Sequence, residues 1–395
     1  MDVSTQTVQR PVRFDRAIEA RPVISRLDRR RFLEFPSRVH AADPCWVPPL
    51  LLERKQFLDP RKHPFYRHGA AQQFLAWRGN EPVGRIMVSD DPLYNAKHND
   101  RVGCFGMFES IEDPEVAHAL LDSAAEWLAA RGRTRIMGPI NYSTNYECGL
   151  LIDGFDTPPR IMMNHNPPFY RGLLESWGLV KAKDLYAWWF DCIDNQIDSN
   201  WRARVERVAA RGGVTVRPLR MNDLQAELVR LQTIFNEAWK DNWGGVPMTE
   251  AEFQRMAREL VHFAKPEVML LSEVEGRAVG FSLSLPDFNE AIRGLNGRLF
   301  RFGLPLGLWK LWRGLKRIKT CRLLALGVLD GFRRRGVAEL LILRTFDHGR
   351  DTLGYTGAEL SWTLEDNALV NRTIEAVGGR KYKTYRIFDR DLANG

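Results

Sequence analysis

Cysteine is scarce in this 395-residue sequence: five residues, at 45, 104, 148, 192 and 321, an odd number with no C-x-x-C pair. That scatter excludes a disulfide framework or a zinc ribbon and predicts reduced thiols in a cytoplasmic protein. The eight histidines have no ligand spacing either. His63 and His68 stand five apart around a proline and read as surface residues, so no metal is expected. No uncharged apolar run approaches the roughly 18 residues of a membrane span. The N-terminal MDVSTQTVQRPVRFDR lacks the apolar core of a signal peptide. Two nucleotide loops are missing as well: there is no G-x-x-x-x-G-K-[ST], and no G-x-G-x-x-G opens a helix.

Acid is missing from one stretch. Residues 294–322 hold Arg298, Arg301, Lys310, Arg313, Lys316, Arg317, Lys319 and Arg322 and no Asp or Glu, and these eight cations equal the whole net charge of +8. The basicity is therefore local, which argues against a general nucleic-acid coat. The remaining composition, 44% hydrophobic with no low-complexity tract, is that of a globular chain long enough for two or three cores.

Read in order, residues 1–22 form a polar leader. Hydrophobic periodicity then predicts a hairpin from 73–77 and 83–88, a strand at 101–108, an amphipathic helix at 114–131 and a strand at 134–140. A Gly- and Pro-rich connection (141–166), a helix at 168–177 and an aromatic strand at 185–191 follow. The second half repeats this order. The turn ending in Val279-Gly280 matches that ending in Val83-Gly84; 326–329 match 105–108, and Val337-Ala338 match Val116-Ala117, both at an offset of 221. Asn371-Arg372 and Gly378-Gly379 match Tyr170-Arg171 and Trp177-Gly178 at 201, so the first copy carries about 20 extra residues near 145–165.

The most informative stretch is 323–341, LLALGVLDGFRRRGVAELL: an apolar strand, a basic turn, then the start of a helix. Such a turn presents unpaired backbone N–H groups at the positive end of a helix dipole, and Arg333, Arg334 and Arg335 would complete a polyphosphate socket. Arg333-x-x-Gly336-x-Ala338 after a strand resembles the pyrophosphate signature of the GNAT superfamily, the acetyl-CoA-dependent N-acyltransferases. The resemblance covers about 214–391 and, more loosely, the first copy. It implies an α/β chain of two tandem GNAT-like mixed-sheet domains with helices on both faces: a leader (1–22), a degenerate N-terminal domain (23–200) and an acyl-CoA-binding C-terminal domain (201–395). The first copy has Ser110-Ile111-Glu112-Asp113-Pro114-Glu115 where the second has its arginines, and three carboxylates would repel a pyrophosphate.

The same resemblance implies acetyl-CoA or a longer acyl-CoA as co-substrate, held by Gly327, Val328, Leu329, Arg333, Arg334, Arg335, Gly336, Val337 and Ala338, with the Val328 N–H facing the thioester oxygen. Asn367 is a helix cap or a cofactor contact, and Asn371 lies a turn further on. The tyrosine the family often carries seven residues after Asn367 is replaced by Ile374; Tyr382 or Tyr385 could supply that proton, and Glu237 is a candidate base. Residues 236–248 (NEAWKDNWGGVPM) read as an acceptor lid or as a packed helix–loop. Residues 303–319 (GLPLGLWKLWRGLKRIK) read as a basic amphipathic helix, facing lipid or a partner, or else buried on its apolar side. The expected function is transfer of an acyl group to a small-molecule or lipid-like amine; the alternative is a non-catalytic acyl-CoA sensor. Nucleic acid is not an expected partner.

Overall fold

The computed structural model describes residues 17–194, 197–261, 263–300 and 303–392. The N-terminal part of the leader and Arg301 lie outside them. The strands are β1 (Ile18–Pro22), β2 (Ala70–Arg78), β3 (Glu81–Asp90), β4 (Val102–Ser110), β5 (Arg135–Gly138), β6 (Leu150–Asp153) and β7 (Val180–Asp191) in the first half. The second half has β8 (Val214–Pro218), β9 (Met269–Val274), β10 (Arg277–Pro286), β11 (Thr320–Val328), β12 (Gly357–Leu364) and β13 (Arg380–Asp391). Together they make one sheet in the order β1-β2-β3-β4-β5-β13-β7-β12-β11-β10-β9-β8, with β6 against β13. Residues 18–22, expected as the end of the leader, instead pair as β1 with β2 along their whole length.

Each half repeats a meander whose fourth and fifth strands run parallel, joined by a helix: Pro114–Ala129 between β4 and β5, Val337–Asp347 between β11 and β12. Parallel strands need such a crossover, and the periodic apolar residues of each helix supply its buried face: Val116, Leu120, Ala124 and Leu128 in one, Val337, Leu340, Leu341 and Leu343 in the other. Each fully buried leucine contributes roughly 1.5–3 kcal/mol.

The closing strands are exchanged. β13, last in the second half, lies between β5 and β7; β7, last in the first half, pairs with β12. The two halves thus share one uninterrupted hydrogen-bonded sheet. The segment 139–166, which holds the extra residues of the first half, crosses the face near β12 and β13, with Arg160 paired to Asp287 at 3.0 Å and Lys383 Nζ donating to the carbonyls of Gly154 and Thr157.

Candidate active site

Two halves with one plan differ at the places that matter for chemistry. In β11 an extra residue, Leu324, sits between the pairs Leu283–Ala325 and Ser284–Leu323. A bulge of this kind bends the strand, and the parallel ladder to β12 ends at Leu323–Leu360. Beyond it the strands part. Leu329 N donates to Val279 O at 2.9 Å; because antiparallel partners alternate, Val328 opposite Gly280 and Leu326 opposite Ser282 turn their N–H groups away from β10 and into the gap. Val328 was expected there; Leu326 was not singled out, since only the register reveals which N–H groups lack a partner strand.

The basic loop follows directly. Asp330–Phe332 is a single 3₁₀ turn, and Gly336 starts the next helix at φ 76°, with no side chain capping its first turn. The N–H groups of that turn have no intrahelical acceptor. Arg333 is exposed and pairs with Asp330 at 2.9 Å, and Arg335 lies over the Phe332 ring. Gly327 allows Trp239 to close over the strand: a Cβ there would stand 2.6 Å from the indole.

In the first half both equivalent positions are already filled. The Met107 N–H, matching Val328, donates to Asn141 Oδ1 at 3.0 Å. At the helix start, Asp113 Oδ1 accepts from Glu115 N at 2.9 Å, while its other oxygen holds Arg78. Pro114 contributes no N–H at all. A phosphate would have to displace a carboxylate here.

At the apex where β11 and β12 separate lies a buried polar cluster that no sequence pattern announced. Arg322 and Glu359 stand opposite each other in the ladder, 3.5 Å apart. Arg322 Nε donates to Ser361 Oγ at 2.8 Å, and the hydroxyls of Ser361 and Tyr382 both donate to Glu359. Arg322, counted by sequence among the local cations, is therefore an interior residue. Tyr385 is fully buried, and its hydroxyl has no partner. Burial pushes both tyrosines well above the usual phenol range, with the Glu359 charge adding to it, so both keep their protons. Glu237, by contrast, is half-exposed and paired with Lys240 at the loop's outer side, away from this cluster. Asn367 accepts from Val370 N at 3.4 Å as a cap, and buried Asn371 donates to Leu364 O at 3.0 Å.

On the other side of the 139–166 segment is a cavity of about 390 Å³. Ile161 belongs to both sites: it lines the cavity, and its carbonyl accepts from Arg322 Nη1 at 2.7 Å. Most of the wall is apolar, including Pro48, Leu50, Met162, Leu260, Phe288 and Ile292. One pole is charged, with Glu53, Arg54, Glu147, Arg255 and Glu259. Glu53 is 47% accessible to the cavity but enclosed by protein, and this desolvation, opposed by Arg54, pushes its carboxyl up to about 7. His63, expected at the surface, is buried among Phe57, Tyr142 and Tyr146, and burial lowers its pKa to about 3. The loop within 236–248, read as a lid or a packed helix–loop, is tied to the first half: Thr144, Asn145 and Lys97 donate to the carbonyls of Gly244, Val246 and Gly245 at 2.7–3.1 Å.

No family model matches the chain. The bacterial ceramide synthase of Caulobacter vibrioides (strain NA1000 / CB15N) is 39% identical over 375 residues, spanning 94% of this chain and 97% of that protein. Protein YghO of Escherichia coli (strain K12) is 35% identical over 375 residues, 94% of this chain and 95% of its own length. A tandem GNAT protein from the clavulanic acid biosynthesis pathway superposes with a TM-score of 0.57 at 12% identity, over 96% of this chain and 99% of that one. The chain belongs to the family of the ceramide synthase and YghO. Its fold is the tandem GNAT fold of the superposed protein.

Proposed function

We propose that the second half binds an acyl-CoA and transfers its acyl group to the primary amine of a lipid-like acceptor seated in the cavity. The observation that carries this reading is the contrast between halves: the gap-facing N–H and the helix N-terminus are plugged by Asn141 and Asp113 in the first, and open in the second. The domain assignment follows, with 23–200 the degenerate copy and 201–395 the acyl-CoA-binding one.

In this proposal Arg333, Arg334, Arg335 and the N–H groups from Gly336 to Ala338 hold the pyrophosphate. Gly327, Val328 and Leu329 line the thioester's path, and Asn371 borders it. The amine nitrogen forms a bond to the thioester carbon, the C–S bond breaks, the ammonium gives up a proton and the thiolate takes one. The Leu326 and Val328 N–H groups stabilise the oxyanion without reorganising. Glu359 takes the amine proton through Tyr382, whose hydroxyl already donates to it. Tyr385, with an uncommitted hydroxyl, protonates the thiolate. The cavity's apolar wall and charged pole suit an amphiphile, as the name of the Caulobacter relative also suggests for the acceptor.

Calorimetric titration with acetyl-CoA, longer acyl-CoAs and free CoA should give one site per chain, abolished by Arg333→Glu/Gly336→Glu. CoA release should require a long-chain primary amine, and Tyr385→Phe should lower kcat about 100-fold without changing acyl-CoA affinity. Two sites per chain would overturn the assignment of the halves. Binding without CoA release for any amine would leave an acyl-CoA sensor in place of an enzyme.

A further inference from the structure

We propose that the helix Leu306–Leu315 seats the protein on an anionic lipid surface, beside the cavity from which the acceptor is taken. The lipid-like acceptor rests on the function proposed above; the docking itself does not.

The helix is mounted by its small residues. Gly307 and Gly314, with Leu311 between them, are one stripe at i, i+4 and i+7. A Cβ on Gly307 would lie 2.4 Å from the Arg298 carbonyl, and one on Gly314 would lie 2.9 Å from Ala291 Cα. Leu311 on this inner stripe lines the cavity, next to Ile292 and Gly297. The large apolar residues are turned outward. Leu308, Trp309 and Trp312 are 41, 55 and 56% exposed, and Leu304 and Leu306 are also exposed. Burying the tryptophans rather than the glycines would be the ordinary arrangement for a core helix, because indoles have the greater area to remove from water.

Charge selects the occupant. Lys310 and Arg313 lie on the helix, Lys316 caps its end and Arg317 and Lys319 follow directly, with no acid between 303 and 319. Arg313 lies 4.8 Å from the Trp309 ring and Lys316 3.7 Å from the Trp312 ring. Exposed indoles with cations over their faces match the headgroup level of a bilayer, where rings enter the acyl boundary and cations meet phosphates. No described helix is long and apolar enough to cross a membrane, so the contact is peripheral. Each cation near an anionic surface adds to the attraction, which falls with salt. A single-chain lipid leaving the bilayer under this helix would meet Leu311 on the inner stripe and hence the cavity wall.

Flotation of the full-length protein with phosphatidylglycerol/phosphatidylcholine vesicles and with pure phosphatidylcholine vesicles tests this without turnover. Wild type should float with the anionic vesicles at low salt, with blue-shifted tryptophan emission, and bind pure phosphatidylcholine at least tenfold less. Trp309→Glu/Trp312→Glu should stay at the bottom while keeping the wild-type Tm and acyl-CoA affinity; Lys310→Glu/Arg313→Glu/Lys316→Glu should lose the anionic preference. Equal flotation of the tryptophan variant would overturn the proposal. So would a wild-type protein that fails to float, or a self-association in solution that the tryptophan variant dissolves. Flotation with no CoA release would separate a failure of the enzymatic reading from a failure of docking.

Discussion

At the residue scale, burial turns ordinary side chains into unusual acids and bases. His63 is held among aromatic rings with Arg255 nearby, and it stays neutral until about pH 3. An unfolded histidine protonates near 6.5. Below that pH the unfolded chain binds a proton that the folded chain refuses, so this residue's contribution to stability is complete above 6.5 and shrinks as pH falls toward 3. The slope has an upper bound of about 1.4 kcal/mol per pH unit. Asn in place of His63 keeps an acceptor for the Phe65 N–H, as His63 Nδ1 now provides at 3.3 Å, but cannot take that proton. Urea titrations from pH 6.5 to 4.5 should therefore show a shallower loss of stability in His63→Asn than in wild type; parallel slopes would contradict the buried neutral imidazole.

At the scale of single elements, two helix starts at matching places in the repeat are finished differently. The helix Pro114–Ala129 is capped by the Asp113 carboxylate, whereas Val337–Asp347 begins at an uncapped glycine in the left-handed region. A residue with a side chain is strained at φ 76°, and a Cβ there would press on Val208 Cγ1 at 3.2 Å. Gly336→Ala should cost about 1 kcal/mol of stability and weaken acyl-CoA binding at least tenfold. Asp113→Ala should cost a similar ~1 kcal/mol as a lost cap, yet leave acyl-CoA affinity unchanged. Thermal melts and calorimetric titration of both variants check this; equal losses of affinity would mean that the two loops are not specialised.

At the scale of the whole molecule, the exchange of β7 and β13 makes the halves interdependent. Each closing strand fills the place beside a strand of the other half, so neither sheet is complete alone. Scanning calorimetry should give one cooperative transition, and a chain ending before β13 should lose the first half's fold together with the second's. A chain of residues 17–200 that melts cooperatively with native near-UV circular dichroism would show the exchange to be dispensable.

Sequence by itself determined the local features. Hydrophobic period, turn residues and the 221-residue offset located the hairpins, both crossover helices and the basic loop, because these depend on contacts between near neighbours in the chain. The resemblance carried by Arg333, Gly336 and Ala338 then pointed to the tandem GNAT fold. Tertiary structure alone decided the rest. The Arg322–Glu359–Ser361–Tyr382 cluster draws on three strands, and Arg54 meets Glu147 across 93 positions. His63 differs from a surface histidine only in what folds over it. The amphipathic helix had a legible stripe, but whether its tryptophans or its glycines face inward depends on the shape of the surface receiving it, at Ala291 and Arg298, and that shape does not exist until the chain has folded.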